Sequence, residues 1–397
     1  MTRLAIRFMI LFRMQPIQPR EGGLRERPGA IGTILAILNN TGPGGRVAHP
    51  LMAAQAAKKI GHKQDAKHLR NDRIWFDAPP LEYYRGILSL KTSEVAQPVQ
   101  DCETYNGPAM VDVSWAKSRT RAFWFMPHGE KQHPPAAVKG GQKEPVILYF
   151  HGGAAVTFSA GDMFMGITLA SNLAKTTGIP VFSVDYNLAP FAPYPIPIVQ
   201  ALGGYLYLTE KLGYRPEQII VGGDSFGAHL TLSLERFLRL EGPKIRGDSE
   251  NQGLHMAGLL LLSPWLSAVN GTFLSRPNNL KYDIITMDYG DWGVKEMKIG
   301  PDHEKRCNLS LIDPWLSPVH KSLDEIKELP PMFIANGELE CLVDEGREFV
   351  QKAKKVKADV TYIVAVSEQL EVVSLYLNSP WAYPFSPNLH FTASTTP

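Results

Sequence analysis

At 397 residues, with 44% apolar and 20% charged residues, the chain can bury a large core as one α/β domain with a lid or as two domains. A formal net charge of +2 supplies no field for nucleic acid or an acidic partner. Three cysteines, Cys102, Cys307 and Cys341, are too few and too scattered for a disulfide framework or a zinc site, which fits a reducing, cytoplasmic setting.

In chain order, the N-terminus comes first. Residues 1–20 carry Arg3, Arg7, Arg13 and Arg20 and no acid, around Phe8-Met9-Ile10-Leu11-Phe12, a stretch too short to span a bilayer. Three readings fit this start: a plain cytosolic N-terminus, an organellar transit peptide, or an interfacial anchor making peripheral membrane contact. Up to residue 108, Gly/Pro clusters (Gly42-Pro43-Gly44-Gly45 and Pro79-Pro80) separate modest helical patterns. The basic segment from Lys58 to Arg73 reads as a solvated helix face. Residues 1–108 are therefore assigned to an N-terminal extension and helical lid, outside the sheet that follows.

From residue 109 the texture changes. Val111–Trp115 and Arg121–Phe125 are β-rich and joined by a polar turn, which predicts a hairpin. Short apolar runs follow at 146–150, 181–184, 219–221, 258–262, 332–335 and 360–364. Continuous runs of this length suit strands buried on both faces. Helical patterns lie between them near 164–177, 197–212, 226–240 and 343–357. The alternation predicts βαβ units and a mostly parallel, doubly wound sheet over residues 109–371. Residues 270–305 interrupt it with Tyr282, Tyr289, Trp292 and Lys295 and read as a second lid segment. Residues 372–397 hold four prolines and no Asp, Glu, Lys or Arg, and are expected to form a disordered tail.

The chemistry centres on Gly223-Asp224-Ser225-Phe226-Gly227, between the apolar run ending at Gly222 and a helical pattern. A G-x-S-x-G in that context is a nucleophile elbow, whose small residues permit a strained turn that lifts one hydroxyl clear of the sheet edge. Acyl transfer also needs donors for a tetrahedral oxyanion, a base, and an acid to orient the base. His151-Gly152-Gly153-Ala154, directly after the run 146–150, offers the donors. The backbone N–H groups of Gly152 and Gly153, with that of Phe226, are the expected oxyanion hole.

These motifs, with Tyr186-Asn187-Leu188-Ala189-Pro190 and Tyr194-Pro195 between them, arrive in an order that resembles the hormone-sensitive-lipase-like branch of the α/β-hydrolases. Ser263-Pro264-Trp265-Leu266 and Leu316-Ser317-Pro318 are similar to its fungal esterases, including the steryl-acetate hydrolases. The resemblance covers roughly residues 110–365. It implies an α/β-hydrolase fold and cofactor-free ester hydrolysis through an acyl-serine under an N-terminal lid. It also places the orienting acid at Glu340, in Gly337-Glu338-Leu339-Glu340-Cys341-Leu342-Val343-Asp344-Glu345, with Asp344 as the fallback. Asp224 is read as bracing the turn. Phe226, where the family carries alanine, implies a narrower or differently angled acyl pocket.

The base departs from the pattern. The family places its histidine just after the strand matching Val360–Val364, and here Ala365–Glu371 contains none. Only His390 follows Glu340. Three explanations compete: His390 reaches the site on a longer loop, the tail is an altered reading frame or retained intron, or the base is lost. His229, on the elbow helix, is expected to point away from the serine. The leading expectation is a serine carboxylesterase for a small-to-medium hydrophobic ester. The alternative is a catalytically impaired protein of the same fold that binds a hydrophobic ligand. No Walker-type, H-E-x-x-H or well-placed dinucleotide motif occurs, so no cofactor, metal or nucleic-acid partner is expected. The oligomeric state is left open.

Overall fold

The computed structural model describes residues 73–91, 105, 109–127, 144–161, 166–246, 256–269, 272–273, 275–279, 283, 285, 287–298 and 307–365. The strands are β1 (Arg73–Asp77), β2 (Arg119–Phe125), β3 (Val146–Phe150), β4 (Val181–Asp185), β5 (Ile219–Asp224), β6 (Gly258–Leu262), β7 (Met332–Gly337) and β8 (Val360–Ala365). They form an eight-stranded sheet in the order β1-β2-β4-β3-β5-β6-β7-β8. The pairs β1–β2 and β2–β4 are antiparallel, and every pair from β4 across to β8 is parallel. The helices are α1 (Gly166–Thr177), α2 (Ile196–Leu206), α3 (Phe226–Arg246), α4 (Ser275–Asn279), α5 (Met287–Lys298), α6 (Leu323–Lys327) and α7 (Val343–Lys355).

Five of the six apolar runs became central strands for the expected reason, and the sixth became β8, a half-buried strand at the far edge of the described sheet. Every residue of β3, β4, β5 and β6 is buried. Because side chains alternate along a strand, Val146, Leu148 and Phe150 enter one core cluster and Ile147 and Tyr149 the other. The larger cluster takes Leu202 of α2, Leu230, Leu234 and Phe237 of α3, and Phe349 of α7. The smaller takes Leu169, Ala170, Leu173 and Ala174 of α1. Helices on both faces make the sheet doubly wound, as the alternation predicts.

Two expectations fail at the first edge. Val111–Trp115 is no strand: Val113–Lys117 is a 3-10 helix, and Val111 makes an isolated bridge with Leu90. The partner of β2 is instead β1, with Ile74 opposite Ala122. That strand lies inside the region assigned to the lid, so the division at residue 108 does not hold. An edge strand needs only one apolar face, and here Ile74 and Phe76 turn inward between exposed Arg73, Trp75 and Asp77. Five residues with charged ends, just before Pro79-Pro80, give too weak a signal to separate strand from loop. Residues 1–72, most of the expected lid, and the tail 372–397 lie outside the described residues.

The antiparallel corner carries a buried ion pair. Arg121 donates from Nε (3.0 Å) and Nη2 (2.6 Å) to Oδ2 of Asp185, and Ala160 N–H donates to Oδ1 at 3.0 Å. Both side chains are almost fully buried. Removing one partner of such a pair strands the other charge in the interior. Arg121→Met is expected to cost about 3–5 kcal/mol, read as a lower midpoint in urea denaturation. The double change Arg121→Met with Asp185→Asn should recover part of that loss.

Candidate active site

The elbow is built by close approach. A Cβ on Gly227 would stand 2.0 Å from the Phe150 carbonyl oxygen, and one on Gly223 would stand 2.4 Å from the carbonyl carbon of Gly227. Only glycine lets α3 start this near the end of β3. Between them Ser225 has φ +51°, a left-handed conformation that costs a non-glycine residue on the order of 1–2 kcal/mol. The surroundings hold it there. Its N–H donates to Leu262 O at 2.9 Å, and its carbonyl accepts from Ala228 (3.1 Å), His229 (3.2 Å) and Trp265 (3.2 Å). Ser225 is half-buried, while its neighbours on both sides are buried.

Asp224 ties the elbow to the His-Gly-Gly loop. Its Oδ1 accepts from Tyr149 Oη at 2.8 Å and from the N–H of Gly152 at 3.0 Å. This corrects one expected role: the Gly152 amide is committed to Asp224, not to an oxyanion. The glycine is still required, because a Cβ there would meet Asp224 Oδ2 at 2.3 Å. His151 is structural. It stacks on Tyr186 with ring centres 4.3 Å apart, its Nδ1 lies 2.7 Å from Gly152 O, and Tyr186 Oη donates to His151 O at 2.6 Å. A carbonyl can only accept, so Nδ1 carries the proton.

Past Gly152 the backbone turns left-handed at three successive residues, Gly153 (φ +109°), Ala154 (+51°) and Ala155 (+61°). Gly153 O closes the turn by accepting from Val156 N (2.9 Å), Thr157 N (3.0 Å) and Thr157 Oγ1 (3.1 Å). Among the described residues no acceptor takes the N–H of Gly153, Ala154 or Phe226. The Phe226 side chain is fully buried and packs against the rings of Tyr186, His229 and Trp265. Its bulk is absorbed by the core below the elbow.

Glu340 follows β7 and is buried. Its Oε1 accepts from Ser263 Oγ at 2.5 Å and its Oε2 from Asn336 Nδ2 at 3.0 Å. Burial, with the nearby negative charge of Asp283, pushes its carboxyl up to about 8 despite these two donors. The fallback acid is occupied elsewhere: Asp344 accepts from Ser275 N at 2.8 Å and from Arg347 Nη1 at 3.0 Å. Glu345 holds the Leu266 amide at 2.6 Å. Ser263 and Asn336 were not foreseen. Ser263 was visible only as the start of a Ser-Pro-Trp motif, and nothing local marks Asn336.

Among the described residues the histidines are His151, His229 and His320. His229 is buried and stacks on Phe226 at 5.2 Å, and burial lowers its pKa to about 4, so it is neutral at pH 7. His320 is exposed in a turn after Ser317. His390 lies outside the described residues.

An open sheet of this order, with a strained serine at the end of its central strand and a left-handed amide loop beside it, defines a hydrolase scaffold. Residues 147–369 match the family described as alpha/beta hydrolase fold, and the chain belongs to it. An esterase of Acinetobacter venetianus is 32% identical over 217 residues, 55% of this chain and 64% of that protein. An acetyl-hydrolase of Streptomyces hygroscopicus is 27% identical over 218 residues, 54% of this chain and 64% of that one. The chain thus spans less than two thirds of the length of these relatives. Among solved structures, an esterase from the bacterial hormone-sensitive lipase family superposes with a TM-score of 0.52 at 19% identity, covering 84% of this chain and 86% of that one. An esterase of Pyrobaculum calidifontis gives 0.54 at 19%, covering 87% and 91%. These likenesses establish the fold.

The raised pKa of Glu340 has a consequence for stability. The folded protein keeps a proton that the unfolded chain releases near its ordinary value of 4.5. The stability this group contributes is therefore full below about 4.5 and lost as pH rises through about 8. Glu340→Gln is expected to flatten the fall in unfolding free energy between those values, measured by denaturant titration at a series of pH.

Proposed function

We propose that the protein hydrolyses carboxylic esters through an acyl intermediate on Ser225. The observation that carries this is Ser225 itself, half-buried among buried neighbours and held at φ +51° between two strand ends. The uncommitted amides of Gly153, Ala154 and Phe226 are the oxyanion donors. Ser225 Oγ attacks the ester carbonyl carbon, and the electron pair of the C=O bond moves onto oxygen, where these N–H groups receive it. Each donor of this kind is worth ~3–4 kcal/mol in the transition state. The serine proton passes to a base. Collapse of the intermediate then expels the alkoxide, which leaves as the alcohol after taking that proton. A water molecule repeats the sequence on the acyl-serine and releases the acid.

His390 is the proposed base, as the only histidine after Glu340 in the chain. Glu340 orients it by accepting from the imidazole, and in its ionised form stabilises the imidazolium. The substrate is a small-to-medium hydrophobic ester, and the names of the relatives, esterase and acetyl-hydrolase, support a short acyl group. No helix among the described residues is long and apolar enough to cross a membrane.

The test is turnover of p-nitrophenyl acetate. Ser225→Ala is expected to lower kcat by about 10⁴-fold or more, and His390→Ala to approach the same loss. Turnover unchanged in Ser225→Ala overturns the acyl-serine reading. Full activity in His390→Ala removes His390 as the base. Binding of a hydrophobic ester without turnover in the unaltered chain favours a catalytically impaired binding protein, for which the missing histidine in 365–371 is the motivating feature.

A further inference from the structure

Helix α5 belongs to the segment 270–305, expected as a second piece of lid, yet it touches the loop that carries the uncommitted amides. Tyr289 and Gly293 are four residues apart and so share one face of the helix. The Tyr289 hydroxyl hydrogen-bonds Thr157 Oγ1, and that same Oγ1 donates to Gly153 O at 3.1 Å. One turn along, a Cβ on Gly293 would meet Ala154 O at 2.6 Å and Ala154 Cβ at 2.9 Å. One turn further, Met297 O accepts the N–H of Tyr194 at 3.0 Å, fixing that end of the helix to the core. Both Tyr289 and Met297 are buried.

The contacts converge on a stretch of strained backbone. Ala154 and Ala155 occupy the left-handed region without being glycine, which persists only where the surroundings impose it. From the sheet side, Asp224 fixes Gly152, and Ala189 N–H donates to Ala155 O at 2.8 Å. On the α5 side the hold is the Tyr289–Thr157–Gly153 chain and the close seat of Gly293 on Ala154. Resting on the acyl-serine reading above, we propose that Tyr289 and Gly293 are positioning residues for the oxyanion hole: they set where the Gly153 and Ala154 amides point without touching substrate. A segment outside the sheet thereby acts on the rate of acyl transfer rather than only on access to the serine.

Tyr289→Phe keeps the ring and removes the hydroxyl; Gly293→Ala pushes a methyl at Ala154. Both are expected to lower kcat about ten- to a hundredfold while KM for p-nitrophenyl acetate stays within about twofold. Affinity for a phenylboronic acid, which forms a tetrahedral adduct on the serine, should fall in parallel with kcat. Thr157→Ser, which retains the bridging hydroxyl, should keep both close to wild type. A variant that only loosens the fold would lose thermal stability without this selective loss of kcat and boronate affinity. If Tyr289→Phe leaves both unchanged, or changes only KM, the proposal is overturned. If the unaltered protein shows no Ser225-dependent turnover, the acyl-serine reading fails by itself. The clamp is then decided by amide hydrogen exchange across Gly153–Thr157: faster exchange in Tyr289→Phe supports it, and unchanged exchange overturns it.

Discussion

The carboxylate of Asp224 is the contact on which the site depends. It ends β5, one residue before the strained serine, and its Oδ1 receives both the Tyr149 hydroxyl and the Gly152 amide. Two loops from different strands are thus fixed to one another by a single buried oxygen. Hydrogen bonds to a buried carboxylate are individually among the stronger contacts a protein makes. The parallel register of β3 and β5, with Phe150 opposite Gly223, brings the groups within reach. Glycine at 152, 223 and 227 then removes the side chains that would keep the backbones apart.

This arrangement explains a division of labour within the His-Gly-Gly-Ala run. The first two residues serve the scaffold: His151 stacks on Tyr186, and Gly152 bonds Asp224. Among the described residues no acceptor takes the amides of Gly153 and Ala154, where the chain becomes left-handed. The left-handed conformations of Ser225, Ala154 and Ala155 are imposed by the surrounding hydrogen bonds and packing. Ser263, at φ +42°, extends the same pattern to the carboxylate that its hydroxyl supports, Glu340.

Much of the architecture was legible because central parallel strands are buried on both faces and so write continuous apolar runs. Five of the six runs became central strands and the sixth the edge strand β8, while the helical patterns at 164–177, 197–212, 226–240 and 343–357 became α1, α2 with the turn after it, α3 and α7. The β1 edge was not legible. β1 has one inward face and five residues, while Val111–Trp115 has strand-like composition but no neighbouring strand to pair with. Composition reports burial, and an edge offers half the burial of a centre.

The sequence by itself singled out Ser225 in its elbow and the glycines around it, since strained turns and close approach accept few residue types, and the family resemblance singled out Glu340. Tertiary structure decided that the Gly152 amide meets Asp224, that Asn336 and Ser263 hold Glu340, and that Tyr289 and Gly293 sit on the Gly153–Thr157 loop. Those roles depend on pairings between segments far apart in sequence, Thr157 and Tyr289 being 132 residues apart. An N–H looks the same at Gly152 as at Gly153 until the fold supplies one of them with an acceptor.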